Sequence, residues 1–124
     1  MKLTDDSRQN ILLVRSFSPG ELRLGEEIVR ASCLLSAARL VTDWRPQSVD
    51  DLRAEDFEAI LELQPEIVVL GSGSRQRFPD YSLLAHLMSK GVGCEVMDTG
   101  AACRTYNVLV SEDRRAVAAL FVND

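Results

Sequence analysis

Residues 67–70 constrain the fold of this chain more than any other segment, because all four of them are aliphatic. A strand that is apolar at every position, rather than at every second one, is typical of a sheet covered on both faces. We therefore expect a buried strand at residues 66–71, with a helix before it and another after it. Apolar residues recur at helical spacing in both places, at Ala54, Phe57, Ile60 and Leu61 before the strand and at Leu83, Leu84, Leu87 and Met88 after it.

The alternation of helices and strands continues through the rest of the chain. Ser48 and Asp51 have the spacing of a capping box ahead of the first helix. A short strand is expected at residues 94–97, then a third helix, and finally an apolar strand at residues 115–122. Because strand–helix–strand connections are right-handed, this order predicts an α/β sheet that is at least partly parallel and covered by helices.

The first third of the chain has a different pattern, that of short strands joined by tight turns. Residues 11–14 form a short apolar run, and residues 21–24 alternate between polar and apolar side chains. Between them, Pro19 and Gly20 occupy the positions that a type II turn requires. Closely spaced strands favour antiparallel pairing. We expect one domain over residues 1–124, to which the N-terminal third adds antiparallel strands, with residues 1–10 flexible.

The composition argues against several classes of protein. The formal net charge of −5 disfavours binding to nucleic acid or to anionic lipid surfaces. No segment approaches the roughly 20 apolar residues of a transmembrane helix, and the polar N-terminus lacks the cationic start of a secretory signal. The widely spaced Cys33, Cys94 and Cys103 indicate neither a disulfide scaffold nor a zinc site. We expect a cytoplasmic protein with reduced thiols and with no metal or cofactor.

The first candidate site is the loop that follows the buried strand, Gly71-Ser72-Gly73-Ser74-Arg75. Glycines allow backbone N–H groups to converge on an anion, and open α/β sheets bind ligands at loops of this kind. The loop lacks the third glycine of a dinucleotide-binding motif and the lysine of a P-loop. Two interpretations stay open, a binding loop or a tight turn that needs a positive φ.

The second candidate site is the start of the third helix, which Asp98 or Thr99 can cap. Cys103 lies near this terminus beside Arg104, a setting that lowers the pKa of a thiol and suits a nucleophile. The general base would have to be His86, the only histidine, brought close by the fold. The alternative interpretation is that Cys103 is a small buried side chain and that the segment is structural.

Three segments resemble the Mth938-like domain family. They are Leu70-Gly71-Ser72-Gly73, the stretch from Met97 to Leu109 with its Asp-Thr and Thr-Tyr-Asn motifs, and the stretch from Arg114 to Leu120. The family includes mitochondrial complex I assembly factor 3, the adipogenesis-associated Mth938 domain-containing protein and bacterial relatives. The resemblance implies a three-layer α/β domain around a mixed central sheet. It also implies a role in assembly by protein–protein contact, without an established set of catalytic residues.

These observations predict a non-enzymatic binding or assembly module with protein partners, linked to the assembly of respiratory or membrane complexes. Its working surface would combine the loop with the start of the third helix. Charge would come from Arg75 and Arg104, and shape and hydrogen bonds from Tyr106 and Asn107. The alternative is a small-molecule or anion-binding protein, or an enzyme that uses Cys103. The predicted binding residues are Gly71, Ser72, Gly73, Arg75, Asp98, Thr99, Arg104, Tyr106 and Asn107.

Overall fold

The computed structural model describes residues 11–124, so the expected flexibility of residues 1–10 lies outside the described range. The strands are β1 (Ser16–Ser18), β2 (Glu21–Leu24), β3 (Glu27–Val29), β4 (Cys33–Leu35), β5 (Leu40–Val41), β6 (Ile67–Gly71), β7 (Gly93–Met97) and β8 (Ala116–Leu120). The helices are α1 (Asp56–Glu62), α2 (Tyr81–Ser89) and α3 (Thr99–Ser111), with a short 3-10 helix at Val49–Asp51 before α1.

Five strands form a mixed central sheet in the order β5-β4-β8-β6-β7. β6 pairs in parallel with both β7 and β8, whereas β4 pairs antiparallel with β8 and β5. The parallel strands come from the helix–strand part of the chain and the antiparallel ones from its first third, as predicted. At the end of β6, Gly71 lies opposite Met97 of β7 and Leu120 of β8. The carboxyl ends of the three parallel strands therefore meet at one edge of the sheet.

Successive side chains of the central strands point to opposite faces and enter two separate cores. On one face, Leu70 packs among the apolar side chains of α1 and α2, such as Phe57 and Leu87. On the other face, Val69 packs among the side chains of α3, such as Tyr106, and those of the first strands. Helices thus cover both faces of the sheet, which confirms the predicted mixed α/β fold class with three layers.

A second sheet of three antiparallel strands, β1-β2-β3, shares the core of α3. The turn between β1 and β2 has the predicted geometry, since Gly20 follows Pro19 with a φ of +87°, as the third residue of a type II turn requires. Leu22 and Val29 of this sheet are buried against the same core. The N-terminal strands and α3 together form the layer on this side of the central sheet.

The prediction of a strand at residues 11–14 is wrong. This segment has no regular secondary structure. A single backbone bond connects the Leu12 N–H to the Ala37 carbonyl at 2.9 Å, and a second one connects the Arg15 N–H to the Arg23 carbonyl at 2.7 Å. Its other hydrogen bonds within residues 11–124 come from side chains of α3.

The predicted capping box at Ser48 is also wrong. The Ser48 side chain makes no capping hydrogen bond, and α1 begins only at Asp56. The carboxylate of Asp51 points back along the chain, where it accepts from the Gln47 N–H at 3.1 Å and pairs with Arg45 at 3.2 Å. The ion pair with Arg45 therefore takes the Asp51 carboxylate, which a capping box would have directed to the Ser48 N–H.

The apolar stripe predicted for the second helix is correct at Leu87, which is fully buried, but wrong at Met88, which is 56% exposed. The helix begins at Tyr81, after Asp80, whose carboxylate accepts from the Ser82 N–H at 3.0 Å. Tyr81 and Met88 are seven residues apart and lie on the same side of the helix. Both side chains face solvent.

Candidate functional site

The structure places the two predicted site segments side by side at the carboxyl edge of the parallel strands. The Gly73 N–H donates to Thr99 Oγ1 at 2.8 Å, and the Thr99 N–H donates to the Gly73 carbonyl at 2.9 Å. Asp98 caps α3 as predicted, because its carboxylate accepts from the Ala101 N–H at 2.9 Å. The loop after β6 and the first turn of α3 are therefore one connected unit.

The two glycines of the loop are required for different physical reasons. Gly73 has a φ of +107°, and a Cβ atom there would lie 2.7 Å from the Asp124 carbonyl oxygen. A Cβ atom at Gly71 would lie 2.9 Å from Thr99 Cα, so this glycine allows β6 and α3 to approach closely. The structure thus confirms the tight-turn interpretation at Gly73.

The backbone donors that an anion would need are already occupied. Ser72 N–H donates to the Met97 carbonyl at 2.8 Å, and Ser74 N–H donates to the Asp124 carbonyl at 2.9 Å. The Ser72 hydroxyl group closes the loop further by donating to the Arg75 carbonyl at 2.6 Å. Open α/β sheets bind ligands in the crevice between strands whose connections leave on opposite faces, here β6 and β7. Beside that crevice the loop N–H groups donate to acceptors of the chain itself, so this geometry does not favour the anion-binding alternative.

The two predicted cationic residues are accessible. Arg75 is exposed on the loop, and Arg104 is exposed on the early part of α3. Neither forms an ion pair with any residue between 11 and 124, unlike Arg77, which pairs with Asp124 at 3.1 Å. Both guanidinium groups can therefore meet a binding partner without first breaking a salt bridge.

Tyr106 and Asn107 have internal partners in this structure. Tyr106 is fully buried, and its hydroxyl group donates to the Leu12 carbonyl at 2.7 Å. Asn107 binds both backbone groups of Val14, because its Oδ1 accepts from the N–H at 2.9 Å and its Nδ2 donates to the carbonyl at 2.8 Å. These two side chains hold the segment 11–15 against α3, and the structure does not bring them together with the loop.

Cys103 is 4% exposed and lies in the core on the α3 side of the sheet. Burial raises the pKa of its thiol to about 12, although the nearby Arg104 acts to lower it. His86 belongs to α2, which covers the opposite face of the sheet, so the fold does not bring this histidine to the thiol. The arrangement contradicts the hypothesis of a thiolate activated by His86.

Sequence reasoning missed two residues beside the loop, Phe78 and Tyr81. They are 64% and 72% exposed, whereas Trp44, Phe57 and Tyr106 are at most 6% exposed. The available signal was their position, since Phe78 and Tyr81 flank the Pro79-Asp80 start of α2 and lie outside its predicted apolar stripe. Large aromatic side chains in such a place are typical of interaction surfaces.

A family model described as a protein of unknown function (DUF498/DUF598) matches residues 14–121. This chain belongs to the DUF498/DUF598 family. The match covers both sheets, both cores and the candidate site. Solved relatives of this DUF498/DUF598 domain include one described as a Mth938-like domain, from Bordetella pertussis, with a TM-score of 0.79 and 25% identity over 90% of this chain and 86% of that one. The resemblance to Mth938-like domains is thereby confirmed.

Curated relatives of the DUF498/DUF598 domain have names that refer to assembly and to membranes. This chain is 34% identical over 121 residues to NADH dehydrogenase (ubiquinone) 1 alpha subcomplex assembly factor 3 of Xenopus tropicalis. The match covers 96% of this chain but only 65% of that relative. The chain is 26% identical over 117 residues to a 13 kDa major membrane protein of Francisella tularensis, covering 92% of this chain and 94% of the relative. Within residues 11–124 no helix has both the length and the apolar character needed to cross a membrane.

The fold of the DUF498/DUF598 domain also matches a solution structure of a Xanthomonas campestris protein. The TM-score is 0.82 at 37% sequence identity, and the match covers 89% of this chain and 83% of that one. The architecture described above is therefore that of the family.

Proposed function

We propose that this protein is a non-enzymatic module that binds other proteins during the assembly of larger complexes. The observation that carries the proposal is the pair of exposed aromatic side chains, Phe78 and Tyr81, three and six residues after the rigid loop Gly71–Arg75. We call Gly71–Arg75 together with Phe78 and Tyr81 the loop surface.

The loop surface has the physical properties of a protein-binding anchor. Aromatic side chains are enriched in interfaces, because burial of a large ring contributes much of the binding free energy. The backbone between the two rings is fixed, since Pro79 is buried and Asp80 caps α2. An anchor that is already rigid loses little conformational entropy when a partner binds. The loop surface therefore supports tight contact with a protein.

The predicted binding residues have two kinds of role in this proposal. Arg75 and Arg104 supply accessible charge to the partner. The residues with internal partners act indirectly, by fixing the backbone that carries the loop surface and α3. They are Gly71, Ser72, Gly73, Asp98, Thr99, Tyr106 and Asn107.

The names of the relatives support the assembly part of the proposal. The Xenopus protein is named as an assembly factor of NADH dehydrogenase, and the Francisella protein is named as a membrane protein. We propose that the chain works in the cytoplasm on membrane complexes, respiratory complexes among them. The net charge of −5 makes nucleic acid an unfavourable partner.

Affinity capture after mild crosslinking tests the proposal. Tagged wild-type protein should capture a defined set of proteins, and the Phe78→Ser/Tyr81→Ser double variant should lose them. Removal of two anchoring rings from an interface costs at least about 2 kcal/mol, roughly thirtyfold in affinity. The captured proteins would be identified by mass spectrometry, and Arg104→Ala would show whether the start of α3 takes part.

Val108→Ser is the matched control, because Val108 is 56% exposed on α3, on the other side of the central sheet. This variant should capture the same proteins as the wild type. Thermal unfolding of each variant would show that it remains folded. Capture of the same proteins by all variants, or of no specific protein by the wild type, would contradict the proposal.

A further inference from the structure

A groove with a volume of about 340 Å³ lies between the 3-10 helix and the start of α2, and Phe78 forms one of its walls. Its lining is mixed, since the nearly buried Val49 and Leu52 and the half-buried Leu83 lie beside the polar Asp50, Asp80 and Ser82. The volume is at the small end of the range for binding pockets, about 300–1000 Å³. The groove therefore has room for a few side chains and is continuous with the loop surface.

Two carboxylates line this groove, those of Asp50 and Asp80. Arg77 contacts Asp50 through Oδ2 alone, which leaves Oδ1 without a partner among residues 11–124. Asp80 accepts both the N–H and the hydroxyl group of Ser82 on Oδ1, at 3.0 Å each, which likewise leaves Oδ2 free within the described chain. These hydrogen bonds, the backbone one first, lower the pKa of Asp80, so it carries its charge at neutral pH. Each carboxylate thus offers one oxygen atom to a ligand.

The surface next to the groove is acidic as well. Residues 50–62 contain six acidic residues and one arginine. Two of the six, Asp51 and Asp56, pair with Arg45, at 3.2 and 2.7 Å. The other four are exposed. Arg77 offsets part of this charge through its contact with Asp50, but the carboxylates outnumber it, so a cation that approaches the groove meets a net negative surface.

We propose that this groove binds a basic segment of a partner protein, in which an arginine or lysine side chain stands beside an apolar one. This inference rests on the protein-binding function proposed above and names the chemistry of the partner. The cation binds between the free oxygen atoms of Asp50 and Asp80, where the ring of Phe78 adds cation–π attraction. The neighbouring apolar side chain packs beside Leu83, the half-buried apolar residue of the lining. Charge complementarity selects this partner, because an acidic segment would be repelled at the same place.

Fluorescence polarisation with two labelled heptapeptides tests the inference. The first peptide is Gly-Arg-Leu-Gly-Arg-Leu-Gly, and the second carries glutamate in place of each arginine. The wild-type protein should bind the arginine peptide and not the glutamate peptide. The Asp50→Asn/Asp80→Asn variant should bind the arginine peptide roughly tenfold more weakly, because it loses both charges at the groove. Asparagine at position 80 still caps α2, so this variant keeps the helix.

The control is Glu26→Gln/Glu112→Gln, which removes the same net charge from exposed positions in the layer on the α3 side. Its affinity for the arginine peptide should stay within about twofold of the wild type. Equal weakening by both double variants would mean non-specific attraction to an acidic protein and would overturn the inference. Equal binding of the glutamate peptide would overturn it too.

The two proposals fail in different ways. Suppose that Phe78→Ser/Tyr81→Ser loses the captured proteins, while Asp50→Asn/Asp80→Asn retains them and the wild type ignores the arginine peptide. The protein-binding function would then stand, and the basic segment would be wrong. If the wild-type protein captured no specific protein, the proposed protein-binding function itself would be contradicted.

Discussion

At the scale of single residues, Thr99 connects three segments of the chain through one hydroxyl group. Its side chain is fully buried, accepts from the Gly73 N–H at 2.8 Å and donates to the Phe121 carbonyl at 2.9 Å. Buried polar groups need such partners, because no water replaces them. Thr99 therefore holds the loop after β6 to the end of β8.

Replacement of Thr99 tests this role. Thr99→Val keeps the shape but removes the hydroxyl group, which leaves the Gly73 N–H and the Phe121 carbonyl unpaired. We expect the free energy of unfolding to fall by about 2–4 kcal/mol, as measured by urea denaturation. Thr99→Ser keeps the hydroxyl group and should lose about 1 kcal/mol or less. Equal losses in the two variants would contradict a dominant contribution from the hydrogen bonds.

Cys103 and Arg104 show where sequence reasoning about single residues stops. Their adjacency predicted a thiol with a lowered pKa, since a cation stabilises a thiolate. In the helix, however, the two side chains have opposite environments, with Cys103 in the core and Arg104 exposed. The cost of burying a charge outweighs the attraction of the arginine, and the pKa rises to about 12. Neighbours in sequence report on local charge but not on burial.

At the scale of elements, α3 holds a segment that has no secondary structure of its own. Asn107 binds the N–H and the carbonyl of Val14, as a paired strand would, and Tyr106 binds the carbonyl of Leu12. Two side chains of one helix thus replace the missing strand partner for residues 11–15. No periodicity in residues 11–14 could show this, because the partners lie more than 90 residues further along the chain.

Asn107→Ala should release this segment without unfolding the domain. We expect faster amide hydrogen exchange at Val14 and a loss of about 1–2 kcal/mol of stability, because two hydrogen bonds disappear together. Val108→Ala, at the next position of the same helix, changes an exposed side chain and should alter stability by less than about 0.5 kcal/mol. Unchanged exchange at Val14 in Asn107→Ala would mean that the segment is held by packing instead.

Elements with strong periodicity were predicted well, and those that depend on distant partners were not. β6 and the buried Phe57 and Ile60 of α1 follow from apolar spacing, whereas Ala54 of the same predicted stripe precedes α1 and is exposed. The Asp98 cap follows from local chemistry. The exposure of Phe78, Tyr81 and Met88 depends on which parts of the fold lie beside α2, which spacing alone does not specify. The candidate site was therefore located but its most exposed side chains were missed.

At the scale of the whole molecule, three ionisable groups are buried in the core beside α3. They are the thiols of Cys33 and Cys103 and the phenol of Tyr106, each at most 4% exposed. Burial raises the pKa of both thiols to about 12 and also raises the pKa of Tyr106. All three groups therefore stay protonated in the folded protein over a pH range in which the unfolded chain ionises.

This core predicts a loss of stability in alkali. A raised pKa in the folded state stabilises the fold below the unfolded pKa, near 9 for a thiol, and that stability is lost as the pH rises from about 9 towards about 12. Each thiol contributes a slope of up to roughly 1.4 kcal/mol per pH unit in this range, and Tyr106 adds to it above about pH 10. Urea denaturation in the presence of a reductant, at pH 8, 9 and 10.5, measures this change in the free energy of unfolding.

Cys33→Ala is the matched variant for the alkaline experiment, because it removes one of the three groups. Its stability should decline less steeply than that of the wild type above pH 9. A wild-type free energy of unfolding that stays constant between pH 8 and pH 10.5 would contradict the predicted loss of stability in alkali.

The position of β8 has a consequence for synthesis on the ribosome. β8 lies between β4 and β6 in the central sheet, yet it is the last in sequence of the eight strands that residues 11–124 form. As the nascent chain emerges, one edge of β4 and one edge of β6 remain open until residues 116–120 have left the exit tunnel. Open strand edges recruit other strands, so incomplete chains are the form most prone to aggregate. The sheet closes only after translation of its central strand, and chaperone protection is needed most until then.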